Sequence, residues 1–121
     1  MISIIPVEKA GEDERGSTHF FENDRTGQFI VAYRKQGSAS GRHYHKGLSA
    51  NKNPEKIILM QGEVTLNWFN VQGEEKGTEK IKAPALIAIE PYAWHEVIAE
   101  TDIMILELNS FEDGNMDTFR V

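Results

Sequence analysis

Short stretches of alternating apolar and polar residues recur along this chain, and nowhere is a helical period sustained. Val64, Leu66 and Trp68 alternate with Glu63, Thr65 and Asn67, the two-residue period of a strand with one wet face. Phe29, Val31 and Tyr33 alternate with Ile30 and Ala32. Both of those sets are largely apolar, so that strand is expected to be covered on both sides. Further strand-sized runs are expected at 2–7, around His43, at 55–60, 78–82, 85–89, 95–99 and 103–108, with turn signals such as Gln72-Gly73 and Pro91 between them. The last two runs read as a hairpin across Glu100-Thr101-Asp102. Residues 8–17 and 46–54 read as polar loops, and the tail from Phe111 is left open. About ten short strands at this spacing predict an all-β, antiparallel sandwich or barrel. The chain is read as one domain over 1–121, with no linker and no internal repeat.

Charge narrows the range of partners. The formal net charge is −6, which argues against nucleic acid as a partner of the whole surface. The segment from Arg34 to Lys56 nevertheless carries +5, through Arg34, Lys35, Arg42, Lys46, Lys52 and Lys56 against Glu55, and the rest of the chain −11. Such a segment is either a solvated basic loop or a positive mouth for an anionic small molecule. No apolar run approaches the ~20 residues that span a bilayer, and the first residues do not read as a signal peptide. There is no cysteine, which removes disulfides, thiolate metal sites and cysteine nucleophiles. The expectation is a cytoplasmic protein with no membrane partner.

Within this frame Gly41-Arg42-His43-Tyr44-His45-Lys46-Gly47 is the richest stretch. In a strand His43 and His45 share a face while Tyr44 points away, so two imidazoles roughly 7 Å apart can converge on one metal ion or substrate. A third histidine, His95, follows the turn marked by Pro91, and Glu55 opens the strand after the polar loop. His19, alone in its surroundings, reads as structural, and Trp68 and Trp94 read as packing.

At these residues the sequence resembles the cupin superfamily, small jelly-roll barrels with two motifs. Gly37, His43, His45, Glu55 and Gly62 match the first motif, and Pro91 and His95 the second, so the resemblance covers roughly residues 28–108. Two features depart from the pattern. Nine residues separate His45 from Glu55, more than the family usually has, and Glu90 and Tyr92 stand where it often has Pro and Gly. Gly41-Arg42-His43-Tyr44 resembles the catalytic-histidine strand of deoxysugar 3,5-epimerases. Extended to Lys46 and joined with Trp94-His95-Glu96, it is similar to nucleotide-sugar 3,4-ketoisomerases and to the cupin halves of polysaccharide-biosynthesis enzymes.

The resemblance implies a homodimer acting on a nucleotide-linked keto-sugar by isomerisation or epimerisation. It also implies a basic contact to the diphosphate, for which Arg42 or Lys46 is expected. Two mechanisms use the same residues. In one, His43, His45 and His95, with Glu55 as a fourth ligand, hold a divalent ion such as Zn, Fe, Ni or Mn. In the other, His43 or His95 removes a proton α to a sugar ketone, and Tyr92 or Tyr33 serves the opposite side. Tyr44 faces away. A metal-dependent small-molecule cupin such as a dioxygenase, and a non-catalytic sugar or metal binding module, stay open as alternatives.

Overall fold

In the computed structural model, which describes residues 1–121, eleven strands precede one short helix. They are β1 (Ile2–Pro6), β2 (Glu8–Asp13), β3 (Gly16–Phe20), β4 (Ile30–Arg34), β5 (Ala39–His43), β6 (Glu55–Gln61), β7 (Glu63–Asn70), β8 (Lys76–Lys82), β9 (Ala85–Ile89), β10 (Ala93–Ala99), β11 (Ile103–Glu107) and α1 (Phe111–Met116). Five antiparallel strands in the order β1-β9-β6-β11-β4 form one sheet, and four in the order β5-β10-β7-β8 form the second. This is the expected jelly roll. Alternate residues of each strand supply the core between the sheets: Ile57 and Leu59 on β6, Val64 and Leu66 on β7, Ile87 and Ile89 on β9, Val97 on β10, Ile103 and Ile105 on β11. The period-two pattern of the sequence is thus the inward face of a two-layer sandwich.

Four expectations change. Strands β10 and β11 are not a hairpin: β10 pairs with β5 and β7, whereas β11 pairs with β4 and β6. Residues 100–102 carry the chain from one sheet to the other, and a short polar turn looks the same in both arrangements. The crossing needs Gly62 beneath it. Gly62 has φ +92, and a Cβ there would lie 2.4 Å from the Asp102 carbonyl oxygen. Residues 8–17 are not a loop, because β2 and β3 pair with each other as a separate two-stranded hairpin. Every residue of β2 is exposed, so neither face carried the apolar alternation that marks a strand.

Strand β4 is not covered on both sides. Val31 and Tyr33 are 53% and 71% exposed, because β4 lies at the edge of its sheet with no layer outside it. Finally, the tail contains a six-residue helix. Ser110 and Asp113 form a capping box at its start, a local signal that outweighs the poor helix formers Gly114 and Asn115.

Candidate functional site

Strand β5 sets His43 directly opposite His95 on β10. The ladder then slips, leaving Arg42 as the extra residue of a bulge in the left-handed region at φ 62. Gly41 makes the approach possible: it has φ +85, and a Cβ there would sit 2.9 Å from the His95 carbonyl oxygen. Beyond the bulge Tyr44 bridges to Phe119, and the Tyr92 amide donates to the His45 carbonyl at 2.7 Å. With Tyr44 in a bridge, the two-residue period puts His45 on the same face as His43. The His43 ring centroid is 4.9 Å from each of the other two, and His45 and His95 are 5.4 Å apart.

Glu55 closes the cluster from the opposite sheet, at the start of β6. Its Oε2 lies 3.2 Å from His45 Nε2 and its Oε1 3.4 Å from His95 Nε2. The Lys52 ammonium donates to Oε2. All of these side chains except His43 are buried. Burial alone would push the Glu55 carboxyl up, but the His45 and His95 imidazoles and the Lys52 charge together hold it well below the usual range.

The outer ring nitrogens decide what the cluster can hold. His45 Nδ1 donates to the Asp117 carbonyl and His95 Nδ1 donates to the Ala93 carbonyl at 2.9 Å. Both partners can only accept, so the hydrogen-bond network assigns the proton to Nδ1 in each ring. A neutral imidazole then turns a lone pair at Nε2 toward a carboxylate that carries more lone pairs. His45 Nε2 is buried without a hydrogen-bond partner. Either these nitrogens take a second proton, or they share a cation with Glu55. Ligand nitrogens of His43, His45 and His95 lie within 4.8 Å of one another, and carbonyl partners at Nδ1 are what orient histidine ligands elsewhere. The donor set fits a divalent transition ion.

His43 differs from its neighbours in being incompletely buried. Burial, followed by the charges of His95 and His45, pushes its imidazole down to about 3. It is therefore neutral in the folded protein near pH 7. An unfolded chain takes up this proton below the ordinary value of 6.5, whereas the folded chain refuses it until about 3. The stability contribution is fully present above 6.5 and is lost as pH falls through that window. Urea midpoints of chelator-treated protein should fall between about pH 7 and about pH 4, and less steeply for His43→Gln. Asp113, held low by Ser49 and Ser110 against its own burial, keeps its contribution in full above its ordinary 3.8 and loses it only as pH falls below that value, outside this window. Equal slopes for the two proteins would remove His43 from this account.

A cavity of about 150 Å³ opens beside the cluster, lined by His43, Glu55, His95, Arg34 and Glu107 among others. A larger hollow of about 530 Å³ follows the β2–β3 hairpin, but only that hairpin lines it and no histidine reaches it.

The structure gathers His43, His45, His95 and Glu55, and it scatters the other residues expected at the site. Tyr33 points outward from β4. Tyr92 stacks on Tyr44 at 6.1 Å, away from the cavity. Arg42, turned out by its bulge, pairs with Glu96 at 2.8 Å, and Lys46 lies over the Phe119 ring at 4.2 Å. None of these four lines the cavity.

The positive segment is partly neutralised, since Lys52 meets Glu55, Lys56 meets Asp24 and Arg42 meets Glu96, while Arg34, Lys35 and Lys46 form no salt bridge. Residues 46–54 are tied to the tail rather than free. Asp117 accepts from the Lys46 and Ser49 amides, and Asp113 accepts from Ser49 Oγ and Asn51 Nδ2. Three residues were missed as site candidates, Lys52, Glu107 and Arg34, the first and last having been counted only in the positive segment. The legible signal for Glu107 was an acid continuing the inward apolar series Ile103 and Ile105. Lys52 gave none, because its partner lies only three residues away in an unpredictable loop conformation.

No protein-family model and no curated protein sequence matches the chain. Solved structures do match. The sugar 3,4-ketoisomerase QdtA of Thermoanaerobacterium thermosaccharolyticum, solved with TDP, superposes with TM-score 0.74 at 17% identity, covering 99% of this chain and 88% of that one. A 3,4-ketoisomerase of Helicobacter canadensis gives 0.72 at 19%, covering 99% and 90%. The dTDP-4-dehydrorhamnose 3,5-epimerase of Sulfolobus tokodaii gives 0.63 at 17%, covering 88% and 68%. At such identities the likeness establishes a shared fold, the cupin jelly roll of these sugar-nucleotide enzymes. No helix of the chain is long and apolar enough to cross a membrane.

Proposed function

We propose that the cavity binds the sugar of a nucleotide-linked keto-sugar and that the protein isomerises or epimerises it, a step of polysaccharide biosynthesis. The observation that carries this reading is the buried three-histidine and Glu55 cluster opening through His43 into a cavity. The same fold in QdtA is solved with TDP and, in a mutant, with TDP-4-keto-6-deoxyglucose. His43 is the residue placed to take a proton α to the ketone, because it is neutral and faces the cavity. Behind it His95 can relay that proton, with Glu55 stabilising the charge. Arg34 replaces Arg42 and Lys46 as the basic group nearest the sugar, since it alone among the three lines the cavity.

A bound divalent metal is the second reading, favoured by the orphaned His45 Nε2 and by a His43 that stays unprotonated down to about 3. His43, His45, His95 and Glu55 would hold the ion, which would supply Lewis-acid polarisation of a substrate oxygen. The chain's own contribution is unchanged by it: Asp117 and Ala93 orient two rings, and burial excludes water.

A cytoplasmic homodimer belongs to the same proposal. The homodimer is supported by exposed apolar residues at the two edges of the outer face of the five-stranded sheet; the row between them, Leu86, Ile58 and Leu106, is already packed with Leu108 of the same chain. At the two edges Ile5 and Val31 are 46% and 53% exposed.

The test is calorimetric titration with TDP and with TDP-4-keto-6-deoxyglucose, followed by proton NMR of the sugar in heavy water. Expected are saturable binding of both and exchange of the proton α to the ketone. A protein that binds neither compound, with and without added zinc, iron, nickel or manganese, would end the sugar-nucleotide reading.

A further inference from the structure

Glu107 has no structural purpose that its surroundings explain. It ends the inward face of β11, after Ile103 and Ile105 and beside Ile57 and Ile30 on the flanking strands. An apolar side chain would continue that face at no desolvation cost. The Glu107 carboxyl instead borders the cavity, and the influences on it are burial and the charges of Glu55, Lys52, Arg34 and His45, with no hydrogen bond from the protein. Its acceptor atoms are aimed at whatever fills the cavity.

Arg34 offers the complementary chemistry. Its Nε and one terminal nitrogen are held by Ser40 Oγ and the Tyr33 carbonyl, both at 3.0 Å, which fixes the guanidinium at the cavity wall with donors to spare. An acid and a base that line one small cavity without pairing with each other suit a ligand that both donates and accepts and carries no charge of its own. The space of about 150 Å³ has room for roughly five waters, the scale of one sugar ring and not of a nucleotide.

On the strength of the function proposed above, we infer that Glu107 and Arg34 are the residues that recognise the sugar ring, Glu107 accepting from its hydroxyls and Arg34 donating to its oxygens. The nucleoside diphosphate lies outside this pair. Burial, which raises the Glu107 carboxyl from its ordinary value, strengthens such a hydrogen bond by keeping bulk water from it.

The experiment compares Glu107→Gln with wild type by titration against TDP-4-keto-6-deoxyglucose and against TDP alone. The isosteric change should weaken the sugar nucleotide about tenfold, the size of one charge-assisted hydrogen bond, and leave TDP within about twofold. Arg34→Gln should show the same split. Equal loss of both ligands would mean general damage and would overturn the assignment, as would an unchanged affinity for the sugar nucleotide. In either case wild-type binding keeps the proposed function standing. A wild type that binds TDP but gains nothing from the sugar would overturn the recognition pair and the sugar-isomerising function together.

Discussion

His43→Ala is expected to lower turnover of TDP-4-keto-6-deoxyglucose by about 10²–10⁴-fold with the fold intact, the usual worth of a positioned acid or base. His45 and His95 are buried, and each spends Nδ1 on a backbone carbonyl. His43 and His95 both line the cavity, but His43 is the incompletely buried ring and makes no side-chain hydrogen bond that shifts it. A base tuned to about 3 is weaker than ideal near neutrality, and the two imidazoles behind it provide the next stop for a proton. His45→Gln separates the two mechanisms. A glutamine amide is a poor ligand for a transition metal but fills similar space. Loss of bound metal together with activity in His45→Gln would establish the metal reading. Activity largely retained without metal would establish His43 as the base acting alone. Full turnover by His43→Ala would remove it from the chemistry altogether, and elemental analysis of each purified variant completes the comparison.

The second large effect concerns stability. Lys52→Met should destabilise the protein by about 3 kcal/mol, because it strips a buried carboxylate of its only fixed cation. The side chains of Lys52 and Glu55 are 5% and 4% exposed, so water cannot replace the lost partner. The two histidines beside Glu55 keep the cost near the lower end of the range for broken buried pairs. For a chain of this size the melting temperature should drop by roughly 10 °C. The double variant Lys52→Met/Glu55→Gln should recover most of the loss, since removing both charges removes the uncompensated one. The ammonium also occupies the oxygen that a metal ion would use, so added zinc should restore more stability to Lys52→Met than to wild type if the metal site is real. An unchanged melting temperature for Lys52→Met would show that the buried pair carries no energetic weight.

Much of this was legible because period-two alternation needs no knowledge of the partner strand. Val64, Leu66 and Trp68, or Ile103 and Ile105, turn inward whichever strands flank them. His43 and His45 could be placed on one face by the same rule, and the bulge at Arg42 comes before both of them. The rule fails where a face has no neighbour. Val31 and Tyr33 alternate well yet remain exposed, because no layer covers the outer face of the sheet at β4, whereas Ala32 on the inner face of the same strand is buried. Strands β2 and β3 escaped notice for the converse reason, having no buried face at all.

Charged residues were the least legible. Arg42 and Lys46 have the composition of an anion site, but a left-handed backbone and an aromatic ring turn them outward to Glu96 and Phe119. Arg34 and Glu107 sit on β4 and β11, far apart in sequence, and only the pairing of those strands in one sheet brings both to the same cavity. By itself the sequence determined the all-β class, the inward face of the core strands, and three histidines and a glutamate as a candidate set that the fold brings together, since residue type and local period suffice for these. Only the tertiary structure decided which sheet each strand joins, that Lys52 neutralises Glu55, and that Arg34 and Glu107 share the cavity. Those outcomes depend on long-range register and on sharply turned backbone at Gly41, Arg42 and Gly62, where one residue of slip would send every side chain to the other face.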